Sequence, residues 1–534
     1  MPSGWRSPFF FLILAVYLLA GVLFATLTPP WQAPDEPAHY NYIRYLTRQG
    51  SFPELVSRCY NQAYLEQLKS QRFPPELPLD SVCYEFHQPP LYYLLTAPIF
   101  SLSGGSLLAL RLASVLLGAG VVALAWGIAR TIFPHWPSIF YGTAAFVAFT
   151  PMHVAMLASV NNDALAELIL AALLFLLTRR VMLPDSATIR GDITLGILLG
   201  LGLITKTTVY IAVPLVGVAL WLAAKSTQGG KGAHPFGCAE GRREQGSRGV
   251  DWSVLVRQGL MVFGVALVMA LPWYGRNAAL YGNLDILGLG RHDAVVVGQL
   301  RTADLLAQVG WPAYLQNFLT TTFHSFWGQF GWMAVPMSER VYLALTLLTV
   351  TAFVGCLLGI GRLEIRDSVP IGYWRLGENS NSPQQNVSRI THHASRSALA
   401  LLSFTIVLML LGYLWYNLEF AQFQGRYLFP ALIPLGLFFS LGLYTAFLPR
   451  RTWLLVGGLA LALAWIIVTG LMQGDVDLWA VVIVGLPLAL AGARVGLASR
   501  WPVPAAWLLL AVYTGLALLT LISPFWYVIP YLSR

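Results

Sequence analysis

Apolar segments about twenty residues long recur along almost the whole 534-residue chain, and they limit what it can fold into more than any other feature. A helix needs roughly 20 mostly apolar residues to cross a bilayer. Such segments lie near 9–28, 106–129, 138–157, 164–180, 254–274, 341–361, 398–416, 427–447, 452–471, 478–496 and 506–527. The run 192–224 is too long for one ordinary span and carries Thr205-Lys206-Thr207-Thr208 at its middle, so it predicts two spans in a tight hairpin. The pattern predicts an all-α polytopic membrane protein of about 13 transmembrane helices. With 57% of residues apolar and 11% charged, a soluble fold of this size could not hide its apolar surface. The first segment lacks a small-residue cleavage site and ends in Thr28-Pro29-Pro30, which favours a retained span over a signal peptide.

Charge then sets the expected orientation. The net charge of +9 does not point to nucleic acid, because the cations fall largely in short loops, as the positive-inside rule requires. Loop 225–253 carries Lys225, Lys231, Arg242, Arg243 and Arg248, and loop 362–397 carries Arg362, Arg366, Arg375, Arg389 and Arg396. Both are predicted to be cytoplasmic with the N-terminus, as are Arg450 and Arg500, so the Asn386-Val387-Ser388 sequon is not expected to be glycosylated. Loops 29–88 and 276–340 and the C-terminus are then outside, with the plasma (inner) membrane as the expected location. Segment 89–102 is too short for a span and predicts an interfacial helix, and 313–333 a second one. Cys59 and Cys83 share the first outer loop, where a disulfide and two free thiols are both open. Cys238 and Cys356 lie apart, and no zinc-type spacing occurs.

Several polar residues converge on the expected outer face. The stretch Pro34-Asp35-Glu36-Pro37-Ala38-His39-Tyr40 directly follows the first span. Pro37 suits a first helical turn and Asp35 a helix cap, and helical spacing would crowd Asp35, Glu36 and His39 onto one face. Such a face could hold a general base or a metal, or be only a solvated helix start. Two adjacent carboxylates should repel and raise the proton affinity of one. Joining them are Glu85 and His87, Asn161-Asn162-Asp163, Lys206, Arg276 and Arg426-Tyr427. Ionisable groups at membrane depth are costly, so they are functional candidates. The plain alternatives are a snorkelling lysine for Lys206, a helix cap for Asp163, and headgroup anchors for Arg276 and Arg426. Lys206 and Arg426 suit a lipid phosphate, and Asp35 or Glu36 could take a proton from an acceptor hydroxyl.

In order and spacing these motifs resemble the GT-C superfamily of integral-membrane glycosyltransferases, which includes protein O-mannosyltransferases and aminoarabinose transferases. The likeness is greatest to a bacterial branch of membrane proteins with the same layout. It is carried by Pro34-Asp35-Glu36-Pro37-Ala38-His39, His87-Gln88-Pro89-Pro90-Leu91-Tyr92-Tyr93, Asn162-Asp163-Ala164-Leu165, Leu203-Ile204-Thr205-Lys206, Trp273-Tyr274-Gly275-Arg276-Asn277, Ser325-Phe326-Trp327-Gly328-Gln329-Phe330-Gly331 and Gln424-Gly425-Arg426-Tyr427-Leu428-Phe429-Pro430. The resemblance implies a GT-C-type catalytic module over residues 1–450, outer loops included, followed by transmembrane helices over 451–534. It implies an inverting transfer of a sugar from a polyprenyl-phosphate donor to a hydroxyl of a lipid, glycan or protein. The implied catalytic residues are Asp35 and Glu36. The implied substrate-binding residues are His39, His87, Asn162, Asp163, Lys206, Arg276, Arg426 and Tyr427, with Lys206 and Arg426 on the donor phosphate. No metal ligand set is implied, and a divalent ion as cofactor stays open. Gln88 stands where the family's motif has a lysine or histidine before the prolines, so that role does not carry over. A transporter or flippase of lipid-linked saccharides is the competing reading, although transport sites tend to sit near the midplane. A metal-dependent hydrolase on Asp35, Glu36, His39, Glu85 and His87 lacks any strict motif.

Overall fold

The computed structural model describes residues 7–183, 188–227, 251–282, 284–360, 384–448, 451–496 and 504–533. Most of loops 225–253 and 362–397, with Cys238, Arg450 and Arg500, lies outside the described residues. In chain order the helices begin with α1 (Pro8–Leu27), α2 (Glu36–Gln49), α3 (Gln62–Ser70), α4 (Leu91–Leu102), α5 (Leu107–Ile132), α6 (Pro137–Ala148) and α7 (Pro151–Leu157). Then come α8 (Asp163–Met182), α9 (Ile189–Leu203), α10 (Ala212–Thr227), α11 (Trp252–Tyr281), α12 (Leu289–Val295), α13 (Thr302–Trp327), α14 (Glu339–Ile360) and α15 (Gln384–Glu419). The chain closes with α16 (Leu432–Ala446), α17 (Thr452–Gln473), α18 (Leu478–Gly496), α19 (Ala505–Ser523) and α20 (Ile529–Leu532).

Among the described residues, 10 helices are long and apolar enough to cross a membrane, or 11 if one bent pair counts as a span. The difference from the expected thirteen falls at three places. The third expected span is the bent pair α6 and α7, which meet at 59°. Pro151 explains the bend: it has no N–H to give, and the residue before it, Thr150, is forced into extended backbone. The side chain of Thr520 donates to the freed carbonyl of Phe149 at 2.8 Å. The fourth, α8, carries Asp163, Glu167, Arg179 and Arg180, and the fifth, α9, has only 15 residues. The chain does break at Thr205-Lys206, as expected, with Lys206 in extended backbone.

The expected interfacial helix over 89–102 is α4. The second one is displaced: α13 starts at Thr302 and ends at Trp327, with left-handed backbone at Gly310. Cys59 and Cys83 form a disulfide. Residues of loops 29–88 and 276–340 and of the chain's last turn meet on one side of the bundle. The Leu55 N–H donates to the Tyr281 hydroxyl at 3.1 Å, the Trp332 indole donates to the Trp31 carbonyl at 2.9 Å, and Arg72 donates to the Ser533 carbonyl.

Candidate active site

Two neighbouring carboxylates at the start of α2 point to different partners. Asp35 has a left-handed backbone with φ 66°, which a non-glycine residue adopts only at a cost. It occupies the N-cap position, but its side chain caps nothing. This corrects the expectation of Asp35 as a side-chain cap. Its Oδ1 accepts from the Tyr84 hydroxyl at 2.8 Å, and its Oδ2 accepts from Arg426 Nη2 at 2.8 Å. Glu36 turns inward to Arg111, which donates Nε to Oε1 at 2.8 Å and Nη2 to Oε2 at 2.6 Å. Glu36 also accepts from the Trp31 and Val160 N–H groups at 3.1 and 3.2 Å. The same guanidinium donates to the carbonyls of Ala25, Thr28 and Pro29, filling acceptors left open at the C-terminal end of α1. Glu36 is therefore 0% exposed and fully bonded, whereas the Asp35 side chain keeps 25% of its surface.

This geometry overturns the expected repulsion. Burial pushes the Asp35 carboxyl up. Arg426 first, then His39 and the Tyr84 hydroxyl, pull it further down, so its pKa lies below the ordinary carboxylate value. Arg426 is itself positioned by Gln424, whose Oε1 accepts from Nε at 2.6 Å, and by Met156, whose sulfur lies 3.6 Å from Nη1. Gly425 makes this approach feasible. A Cβ there would stand 2.1 Å from the Thr322 carbonyl of α13, and its N–H donates to the Ser325 hydroxyl at 2.7 Å. The Arg426 guanidinium also lies over the Tyr427 ring, 5.4 Å from its centroid.

A second pair joins the same cluster. Lys206 Nζ lies 2.6 Å from Asp163 Oδ1 at the start of α8. Asn162 Nδ2 donates to Gln88 Oε1 at 3.3 Å and to the Thr205 carbonyl at 3.4 Å. The N–H of Leu91 donates to the Ile204 carbonyl at 3.0 Å, tying the start of α4 to the Lys206 turn. His39 Nδ1 lies 2.8 Å from the Tyr93 hydroxyl, with the two rings stacked. Burial lowers the His39 pKa, and Lys206 adds to this against the pull of Glu85, Asp35 and Asp163. The ring is therefore neutral at neutral pH, and these charges surround it.

Asp35, His39, Asn162, Asp163, Lys206, Arg426 and Tyr427 are thus brought together. His87 and Arg276 are not among them. His87 faces α12, with Nδ1 3.0 Å from the Tyr84 carbonyl and its ring 4.7 Å from that of His292; burial, aided by His292, pushes it down to about 3. Arg276 donates to the carbonyls of Phe52 and Pro53 and lies over the Trp273 ring, fixing the first loop to the end of α11. Sequence reading missed Tyr84, Gln424, Arg111 and the buried His153–Glu167 pair, whose Nε2 and Oε2 are 2.7 Å apart. Arg111 and the pair did carry a signal, since each is ionisable within an apolar run. Tyr84 carried none, and Gln424 only its place at the head of the Arg426 motif. Among the described residues no three His, Cys, Asp or Glu side chains gather as a metal-binding group.

A broken bundle of membrane helices, with its polar cluster where long loops meet, defines a multi-pass membrane protein of GT-C architecture. ArnT from Cupriavidus metallidurans in the apo state shares the fold, with a TM-score of 0.50 at 14% identity over 96% of this chain and 76% of that one. ArnT bound to undecaprenyl phosphate gives 0.49 at 14% over 98% and 78%. The oligosaccharyltransferase AglB from Archaeoglobus fulgidus, in complex with an inhibitory peptide and a dolichol-phosphate, gives 0.38 at 12% over 95% and 56%. No curated protein matches the chain in sequence. The chain belongs to the family described as "Predicted membrane protein (DUF2142)", whose pattern it matches over residues 78–435.

Proposed function

We propose that the protein is an inverting glycosyltransferase that moves a sugar from a polyprenyl-phosphate donor to an acceptor hydroxyl at the outer membrane face. One observation carries this reading. A quarter-exposed carboxylate, Asp35, is held on strained backbone between Tyr84 and a buried arginine, with Lys206 in the same cluster. The acceptor O–H would give its proton to Asp35 as its oxygen bonds to the anomeric carbon. The bond from that carbon to the phosphate oxygen breaks with it, and the electron pair leaves on the phosphate. Arg426 uses one N–H on each of Gln424, Met156 and Asp35. A guanidinium has five N–H groups and an ammonium three, so Arg426 and Lys206 keep donors for the phosphate. His39, Asn162, Asp163 and Tyr427 line this site. Glu36 serves it by fixing the chain on either side of Asp35, and His87 and Arg276 by fixing the loop that supplies Tyr84. The fold shared with ArnT and the order of the motifs support the reading.

On this reading residues 1–450 form the catalytic module. Loop 29–88 then faces outward in the plasma membrane. A single cysteine at Asp80, whose side chain is 73% exposed, should react with an impermeant label added to intact cells. Labelling only after lysis would reverse the orientation. The function itself is tested by offering the purified protein a panel of polyprenyl-phosphate sugars and reading transfer by mass spectrometry. No consumption of any donor would overturn it.

A further inference from the structure

The site carries two buried acceptors with no donor. Glu85 Oε2 and Asn162 Oδ1 are both shut off from solvent and have no hydrogen-bond partner among the described residues. Buried polar atoms are almost always paired in native proteins, so two orphans in one site need a cause. The orientation of Asn162 is fixed, because its amide faces the Thr205 carbonyl, which can only accept. Its nitrogen must therefore lie on that side, which leaves the oxygen as the orphan.

The two residues are joined through Gln88, by the Glu85 backbone and the Asn162 amide nitrogen. The Gln88 N–H donates to the Glu85 carbonyl at 3.0 Å, and the Gln88 side chain accepts from Asn162 at 3.3 Å. Asn162 adjoins Asp163, the partner of Lys206, and Glu85 is among the charges that act on the His39 ring. Glu85 and Asn162 therefore border the cluster that holds the cations, and what they lack is a donor. A phosphodiester has only acceptors and cannot satisfy them. A ring bearing hydroxyl or amine groups can. The cations and the orphan acceptors thus complement the two ends of a sugar phosphate.

We infer that Glu85 and Asn162 read the sugar of the donor lipid, accepting hydrogen bonds from hydroxyl or amine groups on its ring, while Lys206 and Arg426 hold the phosphate. This rests on the function proposed above and adds the division of the site into a sugar pole and a phosphate pole. These two residues set which sugar is taken and make no contact of their own with the lipid phosphate.

Binding to the full chain in nanodiscs tests the division, with three probes: undecaprenyl phosphate, the best undecaprenyl-phosphate sugar from the panel, and that sugar's monodeoxy analogues. Glu85→Gln and Asn162→Ala should each weaken the sugar-bearing lipid roughly tenfold to a hundredfold. Undecaprenyl phosphate should bind to Glu85→Gln as to the wild type, which also reports that it is folded. Asn162→Ala also loses its bond to the Thr205 carbonyl beside Lys206, and should lose more for the sugar-bearing lipid than for undecaprenyl phosphate. One monodeoxy donor should bind weakly to the wild type and lose nothing further in Glu85→Gln, because the missing hydroxyl and the missing charge are the same contact. If Asn162→Ala does not fold, the isosteric Glu85→Gln decides alone. Variants that keep the wild-type preference for the sugar-bearing lipid overturn this assignment, the orphans then being filled by water. A wild-type protein that binds undecaprenyl phosphate no better with any sugar than without also overturns it. One that binds none of the lipids overturns the proposed function as well.

Discussion

Asp35 and Glu36 are adjacent, yet substitution should separate them cleanly. Glu36→Gln removes a charge that is 0% exposed and that neutralises a buried guanidinium. An amide can still accept one bond from Arg111 but cannot meet it with two oxygens, and its nitrogen would face a donor. Breaking a buried pair by removing one partner costs about 3–5 kcal/mol. Here it also loosens the ties that Arg111 makes to Ala25, Thr28 and Pro29 at the end of α1. Asp35→Asn keeps one acceptor oxygen for Arg426 or Tyr84 and leaves a quarter-exposed group that water can reach. Its cost should be about 1.5–3 kcal/mol, the scale of one hydrogen bond to a charged group. Transfer should show the reverse order. Asp35→Asn should lose at least about a hundredfold in transfer, the scale of general-base catalysis, while binding the donor at least as well as the wild type. Glu36→Gln should lose activity only as its folded fraction falls. Thermal unfolding of the detergent-solubilised protein and single-turnover transfer on the monodisperse fraction measure the two. A Glu36→Gln protein that melts like the wild type and does not transfer would make Glu36 the base and refute the argument.

Lys206→Ala and Arg426→Ala should each weaken binding of undecaprenyl phosphate roughly tenfold to a hundredfold, measured in nanodiscs. Unchanged affinity in both would remove them from the phosphate site. Cys59→Ser with Cys83→Ser should lower the stability of the first loop by about 3–4 kcal/mol, given its sequence separation of 24. It should also lower transfer, because Tyr84 follows Cys83 directly. Proteolysis of loop 29–88 and transfer under reducing conditions check both.

The spans were legible because apolar length is a property of sequence alone. The broken third span was also legible in principle, since Pro151 sits at its bend. The direction of Glu36 was not. It depends on the left-handed backbone of Asp35, which turns one carboxylate toward Tyr84 and Arg426 and the next toward Arg111. Helical spacing assumes that both residues already follow the helix, and Asp35 does not. Arg111 was visible as a cation in an apolar helix, but its partners are carbonyls of α1, which no side-chain pattern announces. Arg276 misled for the same reason, because its acceptors are the carbonyls of Phe52 and Pro53. Lys206, Asp163 and Arg426 were found because each cation or acid interrupts or opens an apolar run.

The pairing of charges in the cluster bears on the proposed reaction. Three of its acids each have a cation from another part of the chain: Glu36 with Arg111, Asp35 with Arg426, and Asp163 with Lys206. A donor phosphate adds a negative charge that must draw on Arg426 or Lys206. To the extent that it draws on Arg426, it takes away the main group holding the Asp35 carboxyl down, and burial then pushes that carboxyl up. Donor binding would make Asp35 a better base just when one is required. The sign of the linkage follows. Asp35 binds protons more tightly in the complex, so protons favour the complex, and donor affinity should rise as pH falls through the Asp35 pKa of the bound state. A phosphodiester stays singly charged over this range, so its own titration does not reverse the trend. Binding of an undecaprenyl-phosphate sugar measured from neutral pH down to about pH 4, near the ordinary aspartate value, tests this. The slope should vanish in Asp35→Asn. A flat profile in the wild type would mean that the phosphate takes its charge from Lys206 alone and leaves the Asp35–Arg426 pair intact.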